Sequence, residues 1–212
     1  RISITESGMF KQIQQSDEKK GDFLSLFTNS KRFLKYLQCI LIGVPLWFLV
    51  GVLITFSPEF AKALGVQQAE TIVAGKAIAF CYSGLVFGDI ASGLLSQWLK
   101  SRKKIMHLFL ISNLIMVFVY LNAYEISVST FYLLCFAMGV SVGYWVLFVT
   151  IAAEQFGTNI RATVTTTVPN FVRGSLPLII LIYSFFRDRL FDGDILKSGM
   201  IVGSLLSIVS IL

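Results

Sequence analysis

The residues with the clearest potential for chemistry are two opposite charges that lie inside long apolar stretches. Arg173 lies eleven residues after Ala162 in one stretch, and Asp89 lies eleven residues before Lys100 in another. At the helical rise of about 1.5 Å per residue, each charge lies about 16 Å into a membrane. A charge at that depth is costly, so each is a functional hypothesis by default.

Three arrangements of these charges fit the sequence. Arg173 and Asp89 pair directly, they flank one cavity, or they face different neighbours. In the second arrangement Arg173 holds an anionic substrate and Asp89 takes a proton or a cation. Asn170 lies about one turn before Arg173 on the same side of the helix and adds a hydrogen-bonding amide. Tyr144 and Trp145 form an aromatic wall of the cavity or serve in packing.

A second charged group lies at one end of these stretches. Glu154 and Arg161 bracket a short turn between two apolar runs, and Arg102 and Lys103 belong to the same membrane face. The positive-inside rule alone explains the basic residues, but it does not explain Glu154. The cluster therefore predicts a latch that gates the ends of neighbouring helices.

The sequence gives no support for an enzyme or a metal site. It contains no HExxH, no GxSxG, no phosphate loop and no paired carboxylates within the apolar stretches. Cys39, Cys81 and Cys135 all lie in apolar runs outside any CxxC motif, and His107 has no ligand at metal-binding spacing. We therefore predict a protein without enzymatic activity, cofactor or metal.

Composition points to a membrane protein. The chain is 55% hydrophobic and only 14% charged, whereas soluble domains are about a quarter charged. The net charge of +6 comes from basic residues gathered between apolar runs, which favours membrane orientation over nucleic-acid binding. One side of the membrane would hold three groups of basic residues: those before the first run, those at residues 100–104, and Arg161. We predict that this side is cytoplasmic.

The apolar runs predict an all-α domain of six transmembrane helices. A span needs about 20 residues, and only the last run is shorter, because the chain stops within it. The predicted spans are Tyr36–Phe56, Glu70–Trp98, Ile105–Ala123, Val128–Ala153, Ala162–Phe185 and Leu196–Leu212. Residues 1–35 are predicted to be a cytoplasmic linker. Within it, Asp22–Lys35 is either an amphipathic helix on the membrane surface or the first turn of the next helix.

Two further patterns within the spans predict how the helices pack. Small residues recur every four positions, as in the pair Gly139 and Gly143, and such faces let helix backbones approach closely. Pro45 and Pro169 lie inside spans, where each removes a backbone hydrogen bond. We therefore predict close helix contacts at the glycines and kinks at the two prolines.

Three motifs resemble the major facilitator superfamily, in particular its sugar-porter and organic-ion branch. Residues 153–163, Ala-Glu-Gln-Phe-Gly-Thr-Asn-Ile-Arg-Ala-Thr, resemble the signature A-E-x-[FY]-[PG]-T-x-x-R-A-T. Residues 170–177 resemble the following N-x-x-R-x-G-x-x-x-P helix. Residues 93–104 resemble the loop motif G-x-L-S-D-x-x-G-R-[RK], with Gln97 in place of the aspartate. Residues 1–10 resemble the end of a sixth helix and the start of a central loop.

The resemblance implies that residues 36–212 are the C-terminal six-helix half of a twelve-helix transporter. The partners of this half would be the lipid bilayer, the N-terminal half, a small-molecule substrate and a proton. The protein would be located in a plasma membrane or a bacterial inner membrane. The resemblance also implies anion binding by Arg173 and counts against a direct bond from Asp89. We expect a secondary transporter of a small organic anion. The alternatives are a multidrug or sugar transporter of the same fold and a non-transporting receptor or scaffold.

Overall fold

The computed structural model describes residues 21–211, which are mainly helical and contain no strand. The α-helices in this range are α1 (Ser30–Phe48), α2 (Ser57–Ala63), α3 (Ala74–Trp98), α4 (Arg102–Leu121), α5 (Val128–Ser141), α6 (Trp145–Glu154), α7 (Thr158–Gly174), α8 (Leu176–Phe185) and α9 (Ile195–Ile211). The all-α fold predicted from the hydropathy pattern is thereby confirmed. The predicted linker over residues 1–20 lies outside the described range.

Five helical segments within residues 21–211 are long and apolar enough to cross a membrane. They are Ser30–Ile54, Ala74–Trp98, Arg102–Leu121, Val128–Glu154 and Thr158–Leu190, and we call them spans 1 to 5. The helix α9 is apolar but shorter, as the last predicted run was. The length and apolar composition of these helices thus agree with a membrane protein. A bilayer accepts helices because their backbone N–H and C=O groups form hydrogen bonds within the helix.

The segment Asp22–Lys35 does not form one continuous helix. Leu24–Leu26 is a single 3-10 turn, and α1 begins at Ser30 after an extended residue, Asn29. The Asn29 side chain accepts hydrogen bonds from the first backbone N–H groups of α1, which fixes the start of span 1. Lys35 therefore belongs to the opening turns of span 1, as in the second of the two sequence-based alternatives.

Span 1 lies at the centre of the bundle and continues through Pro45. The proline has no N–H, so the carbonyl of Leu41 loses its usual helical donor. The Ser210 hydroxyl of α9 lies 2.6 Å from that carbonyl oxygen and donates to it. A π-helical stretch, Leu49–Ile54, then completes the span. Contact with α9 thus compensates for the proline inside a buried helix.

The closest helix contact is between α3 and α5, and it is built on glycine. A side chain added at Gly84 would overlap the Phe136 carbonyl, and one added at Gly139 would overlap the Cys81 carbonyl. One turn further along, Gly88 and Gly143 bring their backbones together. The predicted role of the small residues in close packing agrees with these contacts.

The helices α4 and α9 pack in antiparallel register. Gly199 lies against Leu121, and Gly203 lies against Val117 four residues earlier on α4. Each four-residue step forward on α9 thus matches a four-residue step back on α4. Continuing that register by one turn places Ser207 opposite Asn113.

Candidate functional site

The candidate site is organised by a break near the middle of span 4. The helix α5 ends at Ser141 and α6 begins at Trp145, so that Val142, Gly143 and Tyr144 lie between two half-helices. The break lies where Gly143 meets the backbone of Gly88 from α3. It leaves the first backbone N–H groups of α6 without partners inside their own helix.

The side chain of Asp89, which follows Gly88 on α3, caps the N-terminal end of α6. Its carboxylate oxygen Oδ1 accepts a hydrogen bond from the Val146 backbone N–H at 3.3 Å. A negative charge at this position is favourable, because the N-terminal end of a helix carries a partial positive charge. Asp89 is only partly buried.

Arg173 approaches the same first turn of α6 from α7. Its guanidinium carbon lies 5.4 Å from the centre of the Trp145 ring, in cation–π geometry. Trp145 is held on its other sides by Trp47, at 6.4 Å between ring centroids, and by Phe148, at 5.2 Å. The arginine side chain is exposed, and within residues 21–211 it forms no ion pair.

The two charges therefore meet neighbouring residues of α6 without pairing. Within residues 21–211, no ion pair joins Asp89 to Arg173. Asp89 binds the backbone of Val146, and Arg173 covers the ring of Trp145. Of the three sequence-based arrangements, direct pairing is absent, and the charges flank one helix end.

The other predicted site residues, Asn170, Tyr144 and Trp145, differ in their exposure to solvent. Asn170 is exposed on α7, one turn before Arg173 and on the same face. Tyr144 is fully buried, and its hydroxyl donates to the Ile42 carbonyl of span 1 at 3.1 Å. Tyr144 thus anchors the break to span 1, whereas the partly exposed Trp145 is the aromatic residue available at the open face.

A cavity of about 400 Å³ lies between the C-terminal part of α3, the start of α4 and α6. It reaches Val146, whose N–H binds Asp89, and it is lined by Gly93, Ser96, Gln97, Lys100, Ser101, Arg102, Val146, Leu147 and Thr150. Sequence analysis did not select Ser96, Gln97 or Thr150 as site residues. Their signal was available, since each is a polar residue close to the end of an apolar run.

The predicted latch residues have separate partners. Arg102 of α4 forms an exposed ion pair with Glu154 at the end of α6. Arg161 donates from Nε to the Ala153 carbonyl at 3.1 Å, which satisfies a terminal carbonyl of α6. The Lys103 side chain points to a different cavity, between span 1 and α4. Arg102 and Arg161 thus both hold the end of α6, and the gating role stays a prediction.

Within residues 21–211, no group of three or more His, Cys, Asp or Glu residues could hold a metal ion. No protein-family model matches the chain, and neither a curated protein nor a solved structure matches it.

Proposed function

We propose that this chain is the C-terminal half of a secondary transporter that carries a small organic anion by alternating access. The observation that carries the proposal is the broken span 4, whose inner half-helix begins between Asp89 and Arg173. In secondary transporters, discontinuous helices near the bilayer midplane present their N-terminal ends to anionic groups of the substrate. The resemblance to the major facilitator superfamily belongs to the same proposal.

The free-energy cost of placing a charge in lipid indicates that the surface around Arg173 and Asp89 does not contact lipid. An arginine or aspartate at the centre of a membrane helix costs about 2.5–3.5 kcal/mol on insertion scales. Arg173 of α7 is exposed and Asp89 of α3 is partly exposed, and both contact the first turn of α6. Such side chains are tolerated where water, a solute or another protein segment lies beside them. The partner half proposed here would enclose that water-filled space.

The residues around the break suggest distinct roles. The guanidinium of Arg173 offers paired donors that match a carboxylate, and its stacking on Trp145 fixes its plane. Asn170 adds a neutral donor on the same face. Protonation of Asp89 would remove the negative charge beside α6 and leave its N-terminal N–H groups more favourable for an anion. Anion and proton would thus bind together, as symport requires.

Arg173 provides the test of the proposal in the complete transporter. We expect Arg173→Ala to weaken anion uptake about 10- to 100-fold, because a hydrogen-bonded charge pair is lost. Arg173→Lys keeps the charge but not the paired donors, so we expect an intermediate defect. The measurement is uptake into proteoliposomes at matched protein content, with Arg189→Ala at the far end of span 5 as the control.

Three results would contradict the proposal. Unchanged transport in both Arg173 variants would remove Arg173 from the site. Anion-dependent thermal stabilisation without any flux would indicate a receptor rather than a transporter. Stabilisation by sugars or cations in place of organic anions would favour a sugar or multidrug carrier.

A further inference from the structure

A second cavity, of about 330 Å³, shares no lining residue with the first. It lies between span 1, α4, α6 and α9. Its polar lining is Lys35, Gln38, Lys103, His107, Gln155 and Ser210. Among residues 21–211, no carboxylate belongs to the lining, so the described part of the cavity wall carries positive charge and neutral amides.

Helical spacing and the path of span 1 bring Lys35, Lys103 and His107 together at the mouth of the cavity. Lys103 and His107 are four residues apart on α4, so they share a face. The ring nitrogen Nδ1 of His107 donates to the Lys103 carbonyl at 2.8 Å, which fixes the ring on this face of α4. Lys35 comes from the opening turns of span 1 and faces them across the cavity. All three side chains are exposed at the mouth.

The nearest acidic residue in sequence does not neutralise this charge. Glu154 precedes Gln155, which lines the cavity, but its carboxylate forms the ion pair with Arg102. Lys35 and Lys103 form no ion pair within the described residues. The lining thus retains the positive charge of both lysines.

Below the cationic mouth the cavity has apolar walls. They include Leu41, Ile42, Met106, Leu110, Ile151 and Val209. Leu110 and Ser210 face each other here, in the register of α4 and α9 described above. One turn deeper, that register brings together Asn113 and Ser207, both buried and without a hydrogen-bond partner among the described residues. The cavity therefore changes from charged at the mouth to mainly apolar inside.

We propose that this cavity binds the phosphate of an anionic phospholipid, with the acyl chains lying along the apolar walls. Lysine is a common phosphate ligand, and basic pockets between transmembrane helices on the cytoplasmic side suit anionic headgroups. A bound phosphate would join the ends of span 1 and α4. The proposal concerns a different face from the transport site and does not depend on it.

The test compares two double variants with equal charge loss on the same two helices. Lys35→Gln/Lys103→Gln removes the lining lysines, and Lys31→Gln/Lys104→Gln removes exposed lysines that do not line this cavity. The measurement is the melting temperature of the full chain in nanodiscs of phosphatidylcholine, with and without phosphatidylglycerol, at physiological salt.

We expect phosphatidylglycerol to raise the melting temperature of the unmodified chain by about 3–6 °C. The rise should persist in Lys31→Gln/Lys104→Gln and disappear in Lys35→Gln/Lys103→Gln. Equal loss in both variants would show unspecific surface attraction and overturn the site. No rise in the unmodified chain would also overturn it. Equal stabilisation by millimolar inorganic phosphate in pure phosphatidylcholine would identify a soluble phosphate instead of a lipid.

Discussion

At the scale of single residues, Asp89 combines a structural and a proposed functional role. Its carboxylate caps α6 by accepting from Val146, and the same carboxylate is the proposed proton acceptor. The two roles are separable, because an asparagine retains an oxygen that accepts the same hydrogen bond but binds no proton. The position therefore allows stability and coupling to be measured independently.

For Asp89→Ala we expect the free energy of unfolding to fall by about 1 kcal/mol, the usual loss for a helix N-cap. Asp89→Asn should lose only a fraction of that stability, yet it should abolish proton-dependent uptake. The measurements are denaturant unfolding in detergent micelles and uptake with and without an imposed pH gradient. Equal stability of the alanine and asparagine variants would contradict the capping role, and intact proton coupling in Asp89→Asn would contradict the functional one.

At the scale of secondary-structure elements, the contact of α3 with α5 determines where span 4 breaks. The glycine contacts bring the two helices together until their backbones touch at Gly88 and Gly143. In lipid, apolar burial gives little drive for helix association, so close packing of small residues supplies much of the stability. The same contact places Asp89 at the start of α6.

We expect Gly139→Ala to destabilise the protein by about 1–3 kcal/mol, because the added carbon overlaps the Cys81 carbonyl and the helices must separate. Gly93→Ala on α3 is the matched control, since an added carbon there has no atom within 4 Å. The control should be neutral or slightly stabilising, because alanine is the better helix former. The measurement is thermal unfolding in micelles. Similar melting temperatures for the two variants would show that the glycine contact does not limit stability.

At the scale of the whole molecule, the exposed surface has regions that carry large apolar side chains and regions that carry charged and polar side chains. The first kind of region includes Phe87 and suits contact with lipid. The second kind includes Asp89, Arg173 and the polar cavity that reaches Val146. The protein thus presents a surface suited to lipid and a surface suited to water or to a second protein segment.

Cysteine labelling would distinguish these faces. In a background without Cys39, Cys81 and Cys135, we expect Ser96→Cys to react with a membrane-impermeant maleimide, because Ser96 lines the polar cavity. Phe87→Cys on the same helix should react at least tenfold more slowly, because thiols in hydrocarbon rarely ionise. The reagent should act from the cytoplasmic side, where the basic residues are predicted to lie. Comparable rates at both positions would contradict the assignment of the faces.

The sequence by itself determined the all-helical character, the order of the apolar runs and the positions of the two charges inside them. These features are local, because hydropathy over about 20 residues decides whether a helix can cross a bilayer. The span bounds were predicted less well, since the predicted Ala162–Phe185 corresponds to Thr158–Leu190 in the structure. The close approach at Gly139 and Gly143 was also foreseeable from spacing. A kink at Pro169 was predicted as well; α7 continues through that proline to Gly174, and the kink stays a prediction.

Only the tertiary structure decided where span 4 breaks and what surrounds the break. No proline marks residues 142–144, and the interruption depends on Gly88 and Asp89 of α3. The burial of Tyr144 and the ion pair of Arg102 with Glu154 likewise depend on which helices are neighbours. Hydropathy and spacing say which residues share a face of one helix. Partners on different helices are set by how the helices pack, because each of these contacts joins segments far apart in the chain.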